Sequence, residues 1–218
     1  MLNNTFFQKD AKELAADLLG KVIRKKHGDI FLSAMIIETE CYYLTEKGSH
    51  ASLGYTEKRK ALFMEGGTIY MYYSRGKDSL NVSCQGEGNA VLIKGAVPYV
   101  DSQSPSETID VMQKLNPMPD GREREVKRLC AGQTLLCRSL GLKLTEWNGR
   151  NFMPGIFYFE DVGYSPEKII QTTRLGIPAG RDEHLPYRFV DFTHAESCTS
   201  NPLTKKNNNY TIINNETV

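Results

Sequence analysis

No apolar run in these 218 residues approaches the roughly 20 needed to cross a bilayer as a helix, so a helical membrane span is not expected. Neither sign of charge is in excess: 27 Lys and Arg stand against 26 Asp and Glu, a net charge of +1. Attraction of the whole molecule to phosphate is therefore not expected, and affinity for nucleic acid has to come from local patches. The five cysteines, at positions 41, 84, 130, 137 and 198, form no CxxC pair and are odd in number. With no signal peptide ahead of them they read as free thiols in a reducing compartment, which predicts a cytoplasmic protein. The four histidines, at 27, 50, 184 and 194, show no ligand spacing such as HExxH, so no metal site is expected. No repeat and no linker is visible. With 40% hydrophobic residues the chain can bury a proper core, and one domain is the expectation.

What is present begins with "DAKELAADLL" (10–19), where Ala11, Leu14, Ala15, Leu18 and Leu19 recur at helical spacing before Gly20. "KVIRKK" and "IFLSAMIIETE" flank His27-Gly28-Asp29 and predict a hairpin. Further strands are expected at 68–74, 80–84 and 90–97, the last two joined by the turn-rich "QGEGN". Successive strands with short connections argue for an antiparallel sheet rather than βαβ crossovers. A short helix is expected around "ETIDVMQKL" and a longer one across "EREVKRLCAGQTLLCRSLGL", interrupted at Gly132. "GIFYFED" reads as the last strand. Beyond about 193 the Asn-rich, polar chain reads as a frayed tail.

Two stretches carry chemistry. In "IIETECYYLTEKGSH" (36–50), Glu38, Glu40 and Tyr42 alternate directly after Met35, Ile36 and Ile37, and alternate side chains share a face of a strand. Two acids at a strand end ordinarily just meet water. The apolar run ahead of them makes burial of at least one the better expectation. Burial and a like charge about 7 Å away would both raise a carboxyl pKa, the ordinary way to make a general base. The second stretch, 57–81, sets Tyr70, Tyr72 and Tyr73 among Lys58, Arg59, Lys60, Arg75 and Lys77. Tyrosines in strands are usually packing. Rings interleaved with cations are also how proteins stack bases and hold phosphates.

"IIETECYY…SH", "LFMEGGTIYMYYSRG…LNVSCQGEGNAVLIKGAVP", "RLCAGQTLLCRSLGL" and "TTRLGIPAG…LPYRFV" resemble, in order and rough spacing, the alkyladenine (3-methyladenine) DNA glycosylases, from about residue 10 to about 192. The resemblance implies an α+β fold: one mixed domain over 1–192 with a curved, mostly antiparallel sheet flanked by helices. It implies a monofunctional enzyme of base-excision repair that uses no metal or cofactor. Such an enzyme flips alkylated or deaminated purines, 3-methyladenine and hypoxanthine among them, out of duplex DNA and hydrolyses the N-glycosidic bond. Damaged double-stranded DNA would be the partner, a monomer the active form and, in a bacterium, the nucleoid the place. By position Glu40 falls on the general base, and Tyr42, His50 and Tyr72 fall on rings around the flipped base. Asn81 falls on the pocket wall, and Lys94 and the Leu175 carbonyl fall where the attacking water is held.

The chain departs from the family pattern at three places. The segment from Tyr72 to Asn81 is one residue short, which puts Arg75, or Tyr73 if the gap lies earlier, on the position of the DNA-wedging tyrosine. Lys94 replaces an arginine, and "AGQTLL" (131–136) replaces the usual "SGP(G/S)KL". Two rival readings are a non-catalytic nucleic-acid-binding relative and a small-molecule purine nucleosidase. The basic clusters at 58–60 and 122–128 favour DNA over free nucleosides.

Overall fold

A computed structural model describes residues 1–204 and 209–214. The apolar stripe of the first segment forms α1 (Ala11–Asp17), capped by the Asp10 carboxylate, which accepts the Lys12 N–H. Gly20 then turns the chain with φ +83°, where a Cβ would also strike Tyr164 at 2.6 Å. β1 (Val22–His27) and β2 (Ile30–Tyr42) form the expected hairpin through Gly28. β3 (Ile69–Ser74), β4 (Lys77–Ser83) and β5 (Ala90–Pro98) follow as a meander. α2 (Thr108–Leu115) falls where its pattern puts it. The longer helical pattern yields only a 3₁₀ turn (Val126–Arg128) and α3 (Gln133–Ser139), because Gly132 takes φ +133° and breaks it. α4 (Leu144–Trp147) is a single turn before β6 (Phe157–Glu160).

β6 is not the last strand. β7 (Lys168–Thr172), β8 (Arg188–Asp191) and β9 (Tyr210–Asn214) come after it, too short or too polar for their periodicity to be read. Nor is the described part of the segment after 193 a frayed tail. A 3₁₀ turn (Phe192–Ser197) buries Ala195, Cys198 packs beside it, and β9 pairs with β7 along its length. Backbone pairing there does not depend on apolar side chains, and all of β9 is exposed. Residues 205–208 and 215–218 of that expected tail lie outside the described residues.

All pairings among the described residues are antiparallel. The order is β3-β4-β5-β2-β8-β7-β9, with β1 between β2 and β6. This is the single α+β domain expected, with the helices packed against one sheet. The main core lies between α1, α2, α3 and one sheet face, and includes Leu14, Leu18, Leu32, Ile36, Ile93, Met112 and Leu136. A smaller cluster of Met35, Ile37, Val190 and Cys198 occupies the opposite face.

Two irregularities set the faces. Between Ile36 and Glu38 the β2 strand carries one residue more than β5. Between Ile93 and Gly95 the β5 strand carries one more than β2. The extra residues are Ile37 and Lys94, and the two bulges cancel, so pairing resumes in register at Thr39. Before the bulge the even positions Leu32, Ala34 and Ile36 face the main core. After it the odd positions do, with Cys41 in the core and the Thr39 hydroxyl on the Ala15 carbonyl of α1. A one-residue slip turns a strand over. Glu38, Glu40 and Tyr42 are thereby moved off the core face onto the other side of the sheet.

Candidate active site

On that other side one row of ladder partners crosses five strands: Arg188, Glu40, Leu92, Asn81 and Tyr70. Partners in a ladder share a face. The row floors a cavity of about 850 Å³, bordered by Tyr42, His50, Tyr72, Asn81, Lys94, Leu175 and Arg75. Every pocket residue expected from the sequence therefore meets in one place, apart from Glu40, which lies beneath them with no exposed surface. Tyr73 does not border the cavity; it alternates to the opposite side of β3 and is exposed.

Glu40 is held by three donors. The Tyr42 hydroxyl donates to Oε2 at 2.8 Å, the Leu175 backbone N–H to Oε1 at 2.9 Å, and Lys94 Nζ lies 3.3 Å from both oxygens. At Leu175 it is thus the N–H, not the carbonyl, that meets the acid. Lys94 reaches it because it follows Ala90 and Leu92 on the cavity face of β5, and the bulge there turns over only the residues after it. Burial, then the neighbouring Glu40 charge, pushes the Tyr42 phenol well above its usual range, so it stays a donor. A carboxylate offers about four lone-pair sites, and three are taken.

Glu38 has a different fate from the one its spacing suggests. Arg188 stands opposite Glu40 but reaches diagonally to Glu38, Nε to Oε1 at 2.6 Å, with both side chains buried. The other oxygen of Glu38 accepts the Thr199 N–H at 2.8 Å. The two acids do not act on each other through a shared partner; each has its own cation.

Rings line the far end. His50 Nδ1 lies 3.0 Å from the Tyr70 hydroxyl, and its ring stands edge-on to Tyr72 with centroids 4.4 Å apart. Admitting a flat base between two rings takes about 7 Å, twice a carbon–carbon contact. The slot between His50 and Tyr72 is closed. Burial, then Arg59 and Arg181, lowers the His50 pKa, so the ring is neutral at pH 7. The Asn81 amide donates to the Tyr70 carbonyl, and Gln133 Nε2 to the Tyr72 hydroxyl at 3.2 Å.

Sequence reasoning missed Arg174 and Glu46. The Arg174 guanidinium lies 4.4 Å over the Tyr42 ring, donates to the Cys41 carbonyl at 3.0 Å, and grips both oxygens of buried Glu46. It stacks Tyr42 from behind and fixes the chain just before Leu175. Nothing in the sequence joins positions 46 and 174 beyond a charge of each sign.

The cations at the rim are Arg75, Lys77 and Arg181. Arg75 and Gly76 form the two-residue β3–β4 turn with φ +51° and +75°, the sign pattern of a type I′ hairpin. The basic cluster at 122–128 is more committed than expected. Arg122 pairs with Asp120, Lys127 with Glu125, Arg124 with the Asn116 and Pro117 carbonyls, and Arg128 with the Cys198 carbonyl.

Comparison with known proteins gives a consistent family. Residues 5–195 match the family model described as methylpurine-DNA glycosylase. A protein of Pseudomonas savastanoi pv. phaseolicola is 63% identical over 204 residues, covering 94% of this chain and 92% of its own. One from Pseudomonas aeruginosa (strain LESB58) is 61% identical, covering 94% and 85%. One from Clostridium beijerinckii is 32% identical over 200 residues, covering 87% and 94%. All three are provisionally named 3-methyladenine DNA glycosylases.

Proposed function

The chain belongs to the methylpurine-DNA glycosylase family, a DNA-repair family of N-glycosyl hydrolases, and from that premise we propose how this site works and on what. The substrate is duplex DNA holding an alkylated or deaminated purine, with 3-methyladenine and hypoxanthine the leading candidates. The purine is turned out of the helix into the cavity and stacks against Tyr42, His50 and Tyr72, with Asn81 at its edge. Entry requires His50 and Tyr72 to part. An aromatic wall strengthens the hold on a cationic alkylated purine by about 1–2 kcal/mol.

Glu40 is the general base. As the C–N bond breaks, its electron pair leaves with the purine, which departs neutral if alkylated and takes a proton from solvent if it is hypoxanthine. The carboxylate stabilises the positive charge growing on the sugar while taking the proton from a water that adds at C1′. The observation that supports this role is the three-donor grip on a fully buried acid, which leaves about one lone-pair site to receive that proton. Lys94 steadies the acid and holds the water. Leu175 acts here through its N–H on Glu40, with its carbonyl available to the water.

The deciding experiment is single-turnover release of base from lesion duplex by the wild type and by Glu40→Gln. Gln keeps the shape but cannot accept the proton, so release should fall by at least about a thousandfold (about 4 kcal/mol of barrier) while lesion binding stays within a few-fold. Activity confined to free nucleosides would instead favour a nucleosidase. Lesion binding without any release by the wild type would favour a non-catalytic binder.

A further inference from the structure

The segment that follows β8 is held by ionic side chains at three successive residues, two of those side chains buried. Arg128 donates to the Cys198 carbonyl at 3.2 Å, Glu38 accepts the Thr199 N–H at 2.8 Å, and Arg188 donates to the Ser200 carbonyl at 2.7 Å. Gly95 is part of the device, since a Cβ there would lie 2.8 Å from the Glu38 carboxylate. Buried Glu38 and Arg188 and the half-buried Arg128 each hold one backbone group, and together they fix what lies between them, the Thr199 side chain.

Thr199 borders the cavity. Its Oγ1 is shielded from solvent and has no hydrogen-bond partner among the described residues. A buried hydroxyl left unpaired is unfavourable by about the strength of a lost hydrogen bond. It lies across from Gly132, 3.7 Å from where a Cβ would be. On β5, Ala90, Leu92 and Lys94 share the cavity face, and Thr199 is tied through Glu38 to Gly95, the residue after Lys94. On the reading above Lys94 holds the water that adds at C1′, so the sugar and its flanking phosphates fall on this side of the cavity.

We propose that Thr199 is a further substrate-binding residue, its hydroxyl donating to a phosphate oxygen that flanks the extruded nucleotide, with Glu38 and Arg188 as the residues that position it. The inference rests on the glycosylase reading above. Binding requires Oγ1 to turn toward the cavity by rotation about Cα–Cβ. The residue lies beyond position 195, outside the matched family region.

The test measures affinity for lesion duplex and single-turnover base release. Thr199→Val keeps the volume and removes the hydroxyl; affinity should fall about tenfold, as for a hydrogen bond to a charged group, and Thr199→Ser should restore it to within about twofold. Thr199→Ala serves as a second hydroxyl-free variant should Val disturb folding. Duplexes with a neutral methylphosphonate at one flanking phosphate at a time locate the acceptor. At one position the wild type should drop to the level of Thr199→Val, and Thr199→Val should drop no further. Unchanged binding by Thr199→Val and Thr199→Ala, or losses that multiply at every phosphate, would overturn the proposal. A wild type that releases no base from duplex defeats the glycosylase reading itself and takes this inference with it, an outcome distinct from an active wild type indifferent to position 199.

Discussion

His50 illustrates how a single residue's setting changes its chemistry. Free histidine titrates near pH 6.5, but burial and the facing Arg59 and Arg181 favour its neutral form. The other groups against it are the Tyr70 and Tyr72 rings, with the Tyr70 phenol itself pushed up to about 12 and so uncharged. Because the folded pKa is lowered, the unfolded chain takes up this proton first. The contribution of neutral His50 to stability is therefore fully present above pH 6.5 and is lost as pH falls below it. Melting temperatures from pH 7 to pH 5 should fall more for the wild type than for His50→Gln; equal slopes would remove His50 as a cause. At the same scale the cysteines behave as the sequence suggested. All five are free and buried, and burial raises Cys84 and Cys130 to about 12 and Cys198 to about 11. They should resist alkylation at pH 8 until the protein is denatured, which mass spectrometry after iodoacetamide treatment would check.

Among the elements, the β3–β4 turn and the strand β2 carry the decisions. Arg75 holds φ +51°, a conformation that disfavours a residue with a Cβ by about 1 kcal/mol and suits Asn. If Arg75 fills the gap left by the flipped base, Arg75→Asn should leave the fold as stable or slightly more so. It should still weaken lesion-duplex binding several-fold, with little change on single strands, where no gap needs filling. Tyr73→Ala is the matched control, because Tyr73 faces away from the cavity. A large loss with Tyr73→Ala and none with Arg75→Asn would move the wedge to Tyr73. On β2, Glu38→Gln leaves Arg188 buried without its counter-charge. Breaking such a pair destabilises by about 3–5 kcal/mol, visible as a lowered midpoint in urea, whereas an exposed acid would give almost nothing.

For the molecule as a whole, a net charge of +1 hides an uneven surface. Arg75, Lys77 and Arg181 all line the cavity, Arg181 anchored on the Lys47 carbonyl, while the cations at 122–128 are largely paired within the protein. Three phosphate contacts from that rim give log–log salt dependence of binding with a slope of about −2.7. Measured lesion-duplex affinity from 50 to 200 mM salt should show it, and a slope near zero would favour free nucleosides as substrate. The sequence by itself determined the hairpin of β1 and β2, the β3–β5 meander and the helix at 11–17, because their apolar periods are strong and their turns carry glycine. Most of the cavity's lining was not named from sequence, but Tyr42, His50, Tyr72, Asn81 and Lys94, named from the family resemblance, all border it. What only the tertiary structure decided is which way they point. In sequence, Leu32, Ala34, Ile36, Glu38, Glu40 and Tyr42 form one unbroken even-numbered row that would put both acids in the main core. The bulge at Ile37 turns that row over and brings Glu40 to the face on which Lys94 follows Leu92, and the bulge at Lys94 restores the register. A bulge costs one residue of register and has no periodic signature, so it appears only once β2 and β5 lie side by side. Arg174 on Tyr42, Arg188 on Glu38 and Thr199 at the cavity wall are of the same kind. They join positions more than a hundred residues apart, and only packing of the last strands against β2 brings them together.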